Sequence, residues 1–139
     1  MKVITERLQV STKGHTDIID ITKSVAQLLA KHKLKDGNAT VFVSGSTAGV
    51  TTVEYEPGLV KDLPEAFERV APTGRSYHHD ATWGDNNGYA HVRASLLGSS
   101  LTVPFEDGDL HLGTWQQIVL IDFDNRPRDR AIVVQFIGE

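Results

Sequence analysis

The chain contains no cysteine, which removes thiol catalysis, disulfides and cysteine-based zinc sites from consideration. No apolar run approaches the roughly 20 residues that a membrane-crossing helix needs, so no membrane partner is expected. Cationic residues are in a slight minority: 14 Lys and Arg face 18 Asp and Glu, a net charge of −4. With no basic run, that balance argues against a nucleic-acid surface. The opening segment Met1 to Arg7 is interrupted by charges within six positions and does not read as a signal peptide. A cytoplasmic protein is the expectation. What is present is ordinary for a globular chain: 139 residues, 40% hydrophobic and 23% charged, enough for one domain over 1–139 with its own core.

Val3 to Val10 alternates loosely and reads as a strand, followed by a turn at Lys13-Gly14. Ile21, Val25, Leu28 and Leu29 recur at helical spacing, which predicts a helix over 20–33 with Asp20 or Thr22 as cap. Ala39 to Val43 is rich in β-branched residues and predicts a buried strand; Val50 to Tyr55 predicts another. Pro57-Gly58 opens a second helix, 59–70, with Leu59, Leu63 and Phe67 on one face. Residues 71–88 form an irregular polar stretch, longer than most loops and therefore a candidate functional segment. His91 to Leu97 predicts a short helix closed by Gly98. The remainder reads as strands over 100–105, 109–113, 116–124 and 131–137, with turns at Glu106-Asp107-Gly108 and Asn125-Arg126-Pro127. The fold class is α+β, with six or more strands and two or three helices.

Four groups of residues could carry chemistry, and each has a structural alternative. His79 and His91 fall in or beside the polar stretch, where neutral imidazole can accept a proton or bind a divalent metal such as Zn or Mg. Their twelve-residue spacing matches no local zinc motif, and both also suit plain hydrogen-bonding roles. His78 and His79 point apart if their segment is extended, so only one of them faces a site. Ser44 to Gly49 could cradle an anion with its small residues, Ser46 and Thr47 supplying hydroxyls; a tight turn or bulge fits the same pattern. Asp122 lies in Ile118 to Phe123, a run buried on both faces, and must be paired or open onto a cleft. Glu54 shares a strand face with Thr52 and could line a wall; a structural ion pair is the alternative for either carboxylate. Trp115 with Gln116 and Gln117 offers a stacking surface beside amides, or a core tryptophan leading into a strand. Arg126, Arg128 and Arg130 could bind phosphate, or form a solvated hairpin.

Taken together, Tyr77-His78-His79-Asp80, Asn87-Gly88-Tyr89-Ala90-His91, Arg93 to Gly98, Leu112 to Ile118, Asp122-Phe123-Asp124 and Pro127-Arg128 resemble the YjbQ-like family, often labelled secondary thiamine-phosphate synthase. The resemblance spans nearly the whole chain. It places the family's Tyr-x-His pattern on Tyr77 and His79, its Asn…His element on Asn87 and His91, and its Thr-rich loop and Glu on Ser46, Thr47 and Glu54. Gly45 and Tyr89 stand where family members frequently carry His. The resemblance implies a mixed, mostly antiparallel sheet folded into a sandwich-like core, and a homotrimer. It also implies a weak thiamine-phosphate synthase activity, joining hydroxymethylpyrimidine diphosphate to thiazole phosphate with release of pyrophosphate. In that reading His79, His91 and Glu54 are catalytic. Tyr77, Asn87, Ser46, Thr47, Trp115, Gln116, Asp122 and Arg128 bind a small phosphorylated molecule or anion. Two rivals fit the same residues: a non-enzymatic trimeric metal- or anion-binding protein, and a metal-assisted hydrolase with His79 and His91 as metal ligands.

Overall fold

The computed structural model describes all residues, 1–139. Eight strands and four helices follow in the order β1 (Lys2–Thr12), β2 (Asp17–Asp20), α1 (Thr22–His32), β3 (Gly37–Ser44), β4 (Ala48–Val53), α2 (Pro57–Val70), α3 (His78–Trp83), α4 (Gly88–Leu97), β5 (Ser100–Glu106), β6 (Asp109–Leu110), β7 (Gln117–Asp122) and β8 (Arg128–Gly138). The strands form a five-stranded sheet, β1-β8-β3-β5-β6, and a three-stranded sheet, β2-β7-β4. Every pairing is antiparallel. No helix is long and apolar enough to cross a membrane.

The core explains the layering. Val41 and Val43 of β3, Ile132 and Val134 of β8, and Val50 of β4 meet Ile118 and Leu120 of β7 in one cluster. α1 adds Val25 and Leu29, one turn apart on its inner face. The alternate residues of β7, Val119 and Ile121, point the other way, into a second cluster with Phe123 and the α4 residues Ala90 and Ala94. β7 is therefore buried on both faces, as its unbroken apolar run predicts. The second cluster is closed by Val60, Leu63 and Phe67 of α2. The contact face of that helix thus runs through Val60 rather than Leu59, a shift of one residue at helical spacing.

Local chemistry sets the boundaries. Asp20 accepts from the Thr22 N–H at 3.0 Å and its hydroxyl at 2.7 Å, starting α1 at Thr22. Glu56 caps α2, accepting from the Gly58 and Leu59 N–H groups. Asp107 and Gly108 take φ of 52° and 85°, giving the tight two-residue hairpin between β5 and β6. The predicted strand over 109–113 shrinks to Asp109–Leu110. The polar stretch 71–88 contains a helix that periodicity did not reveal: α3, six residues with no buried side chain. So short and exposed a helix leaves no apolar stripe to read.

Candidate functional site

At the end of β7 the chain passes through Asp122, Phe123 and Asp124, then enters β8 at Arg128. Asp122 and Asp124 are both 0% exposed, and a buried carboxylate stays ionised only when paired and fully hydrogen-bonded. Arg130 grips Asp122 with two prongs, Nε to Oδ2 at 2.7 Å and Nη2 to Oδ1 at 2.9 Å. The Thr12 hydroxyl donates to the same carboxylate at 2.6 Å. Asp124 accepts from Arg128 Nε at 2.8 Å, Thr47 Oγ1 at 3.0 Å and Asn87 Nδ2 at 3.2 Å. Burial pushes both carboxyl groups up. The Arg130 and Thr12 hydrogen bonds to Asp122, and those of Asn125, Asn87 and Thr47 to Asp124, outweigh burial and hold both below the ordinary carboxylate range.

These pairs shape the floor of a cleft of about 360 Å³ whose lining includes Ser46, Thr47, His79, Asn87, His91 and Arg128. Thr47 comes from the loop between β3 and β4, tied down where its carbonyl accepts from the Phe123 N–H at 2.9 Å. The two histidines come from neighbouring helices. Asp80 of α3 accepts from the Tyr77 N–H at 3.2 Å and from the Gly88 N–H at 3.0 Å, joining the starts of α3 and α4. Gly88 is required for that approach, since a Cβ there would meet Tyr77 Cβ at 2.5 Å. The result sets the His79 and His91 rings 4.2 Å apart, tilted by 40°.

The environment of the rings is uneven. Burial, reinforced by the positive charge that His79 can carry, lowers the pKa of His91 below its ordinary value. His91 is thus neutral at neutral pH, a proton acceptor rather than a cation. Permanent positive charge in the cleft comes from Arg128 and Arg130 instead. Two buried atoms lack any partner: His79 Nδ1 and Asn87 Oδ1. His79 Nδ1 stands 3.7 Å from Asp85 and 4.0 Å from Asp80, and one ligand atom from each of the three lies within 4.8 Å of the others. One imidazole and two carboxylates suit a divalent cation such as zinc. His91 is outside that group, so a cation held there would sit on His79, Asp80 and Asp85 rather than between the two imidazoles.

Several expected site residues lie elsewhere. His79 faces the cleft and His78 is exposed away from it. Both are helical, so it is helix geometry that separates them. Asp122 spends both oxygens on Arg130 and Thr12; it holds Arg130 and does not reach the cleft. Tyr77 packs on Gly88 and donates its hydroxyl to the Pro72 carbonyl at 2.7 Å, a positioning contact. Trp115 is 73% exposed, and Gln116 donates to Thr52 at 3.1 Å at the far end of the short sheet. In the β4–β7 pairing, Asp122 stands opposite Ala48 and Gln117 opposite Val53, a separation of about 17 Å along the strand. Glu54 is exposed just past that far end. Within one chain, Glu54, Trp115 and Gln116 do not meet the histidines. Two cleft residues, Trp83 and Asp85, are absent from the expected site, whereas Arg130 enters it from the arginine cluster read as a phosphate binder. Trp83 follows His79 by four positions, a same-face signal that becomes visible only once α3 is known to be a helix.

Fold and site together define a small two-sheet α+β domain with an arginine- and imidazole-lined cleft at one end of its shorter sheet. The model of the UPF0047 protein YjbQ-like family matches residues 6–139, and the chain belongs to that family. A UPF0047 protein of Archaeoglobus fulgidus is 39% identical over 128 residues, covering 92% of this chain and 97% of the relative. One from Methanothermobacter thermautotrophicus is 38% identical over 139 residues, covering 100% and 95%. Among solved structures, a YbjQ-like protein of unknown function from Sulfolobus solfataricus superposes with a TM-score of 0.94 at 35% identity, covering 99% of each chain.

Proposed function

We propose that the cleft binds a small phosphorylated molecule and that the protein acts on it as an enzyme, with thiamine-phosphate synthesis the specific reaction to test. One observation carries this reading: a neutral-biased His91 and its neighbour His79 share a cleft with Arg128 and Arg130, whose charges never titrate away. In the synthase reaction the thiazole nitrogen attacks the pyrimidine-methyl carbon, the carbon–oxygen bond breaks, and diphosphate leaves with the electron pair. Negative charge builds on the leaving group, where preorganised cations lower the barrier. Arg128 and Arg130 supply that charge, Ser46 supplies a hydroxyl, Thr47 spends its own on Asp124 and so positions the arginines, and Trp83 offers a ring face at the rim. His91, neutral, accepts a hydrogen bond from the substrate; the step itself releases no proton. The test is thiamine-phosphate formation by purified protein, with His79→Ala and His91→Ala compared with wild type. A loss of about a hundredfold or more in either variant supports the reading; unchanged turnover in both removes the histidines from catalysis.

A second reading, a metal-binding protein, is favoured by the unpartnered His79 Nδ1 beside Asp85 and Asp80. A divalent ion held there would neutralise phosphate charge as a Lewis acid. Stoichiometric zinc in protein purified without added metal, combined with no synthase turnover, selects this binder over the enzyme. The proposal extends to assembly. In a homotrimer of the kind the resemblance implies, Glu54, Trp115 and Gln116 would be free to meet a neighbouring subunit, and a light-scattering mass three times that of the chain would support it.

A further inference from the structure

Arg130 is only 7% exposed. Its Nε and Nη2 are committed to Asp122 and Thr47, while Nη1 has no partner in the chain. That nitrogen is not among the buried atoms without a partner, so it is open to solvent and to a ligand. The free nitrogen faces Gly45, where an added Cβ would lie 2.6 Å from it, closer than a carbon can come without displacing it. Gly45 also sits at a φ of 151°, a conformation that disfavours side chains. The missing side chain leaves Arg130 reachable from outside.

The same glycine joins two spaces. Gly45, Ser46 and His91 line both the cleft and an adjoining cavity of about 310 Å³. Beyond these shared residues the second cavity is walled by Ala48, Ala94, Ser95, Gly98 and Ser99. None of those five carries a charge, and none is larger than serine. One end of the combined space is therefore cationic; the other is walled by small, uncharged residues.

We propose that Gly45 is a specificity-determining position. It opens Arg130 Nη1 to the oxyanion of a ligand whose flat, uncharged body lies in the groove between the Gly45–Ala48 loop and the end of α4. The ligand class is a phosphate ester of a small ring, held end-on, rather than a free inorganic anion. This inference rests on the oxyanion reading above and adds where the rest of the ligand goes.

The experiment is calorimetric titration of the full chain with inorganic phosphate and with phenyl phosphate. Wild type binds phenyl phosphate about tenfold or more tightly than phosphate, the preference that partial burial of a ring supplies. In Ser95→Trp, a change at an exposed position of α4, the indole fills the groove and the ratio falls toward one. Gly45→Ala weakens both ligands together, with a thermal melt reporting that the chain is folded. Equal affinities in wild type, or a ratio unmoved by Ser95→Trp, overturn the groove. Unaltered phosphate affinity in Gly45→Ala overturns the role of Gly45. Failure of phosphate itself to bind overturns the oxyanion reading along with the inference, so the two failures are distinguishable.

Discussion

Asp122 shows how one residue can be essential to a site without touching a ligand. Its two oxygens accept three hydrogen bonds from Arg130 and Thr12 and one from the Asp124 N–H. Asp122→Asn removes the two-pronged counter-charge of Arg130 and leaves it only Asp124 at 3.8 Å, a loss that costs up to about 3–5 kcal/mol, measurable by urea denaturation at neutral pH. Three depressed pKa values in the site contribute to the pH dependence, and the lowered carboxyls of Glu6 and Glu68, held by Lys31 and Thr73, add to its acid stage. His91 has an ordinary value of 6.5, lowered on folding. Below pH 6.5 the unfolded chain takes up its proton before the folded chain does, so stability falls as pH drops through that window. Asp122 and Asp124, with ordinary values of 3.8, are also lowered on folding. Their contribution is complete above about pH 5 and is lost as pH falls through 3.8 and below. Unfolding free energy measured from pH 7 to pH 3 declines in two stages, and His91→Asn removes the first. A decline of unaltered shape in that variant assigns the first stage to another group.

At the scale of elements, the decisive contact is the meeting of α3 with α4. Gly88→Ala places a carbon against Tyr77 and must push the helices apart. Overpacking of this kind costs about 1–3 kcal/mol, and it separates His79 from His91. The expected readout is a His91 titration, followed by NMR, that moves back toward its ordinary value together with a lowered melting temperature. Legibility in the sequence divides along the same line. Elements with an apolar stripe, such as α1 through Val25 and Leu29 or β7 through its unbroken run, are readable because burial leaves a period. α3 has no buried side chain and could not be read that way. His79, His91, Asn87, Thr47 and Arg128 were singled out and do gather in one cleft. Glu54, Trp115 and Gln116 join them in the sequence reading through the family resemblance and the chemistry of their side chains, neither of which carries a spatial signal. Strand register, which puts them about 17 Å away, is set by long-range pairing that no local pattern encodes.

At the scale of the whole molecule, the two buried carboxylates gather chain segments that are far apart in sequence. Thr12 reaches Asp122 across 110 positions, Thr47 reaches Asp124 across 77, and Asn87 reaches it across 37. None of these ties can close until β1, the β3–β4 loop and α4 have docked around β7. Closing long loops slows folding, and the sheets close loops at least as long: Lys2 pairs with Gly138 and Asp17 with Asp122. Cleft and sheets are therefore completed by the same long-range docking. Ligand-binding competence should return together with the sheet signal when denatured protein is refolded, and a lag between the two would separate them. A ligand that binds only the assembled cleft thus acts as a clamp on the whole fold.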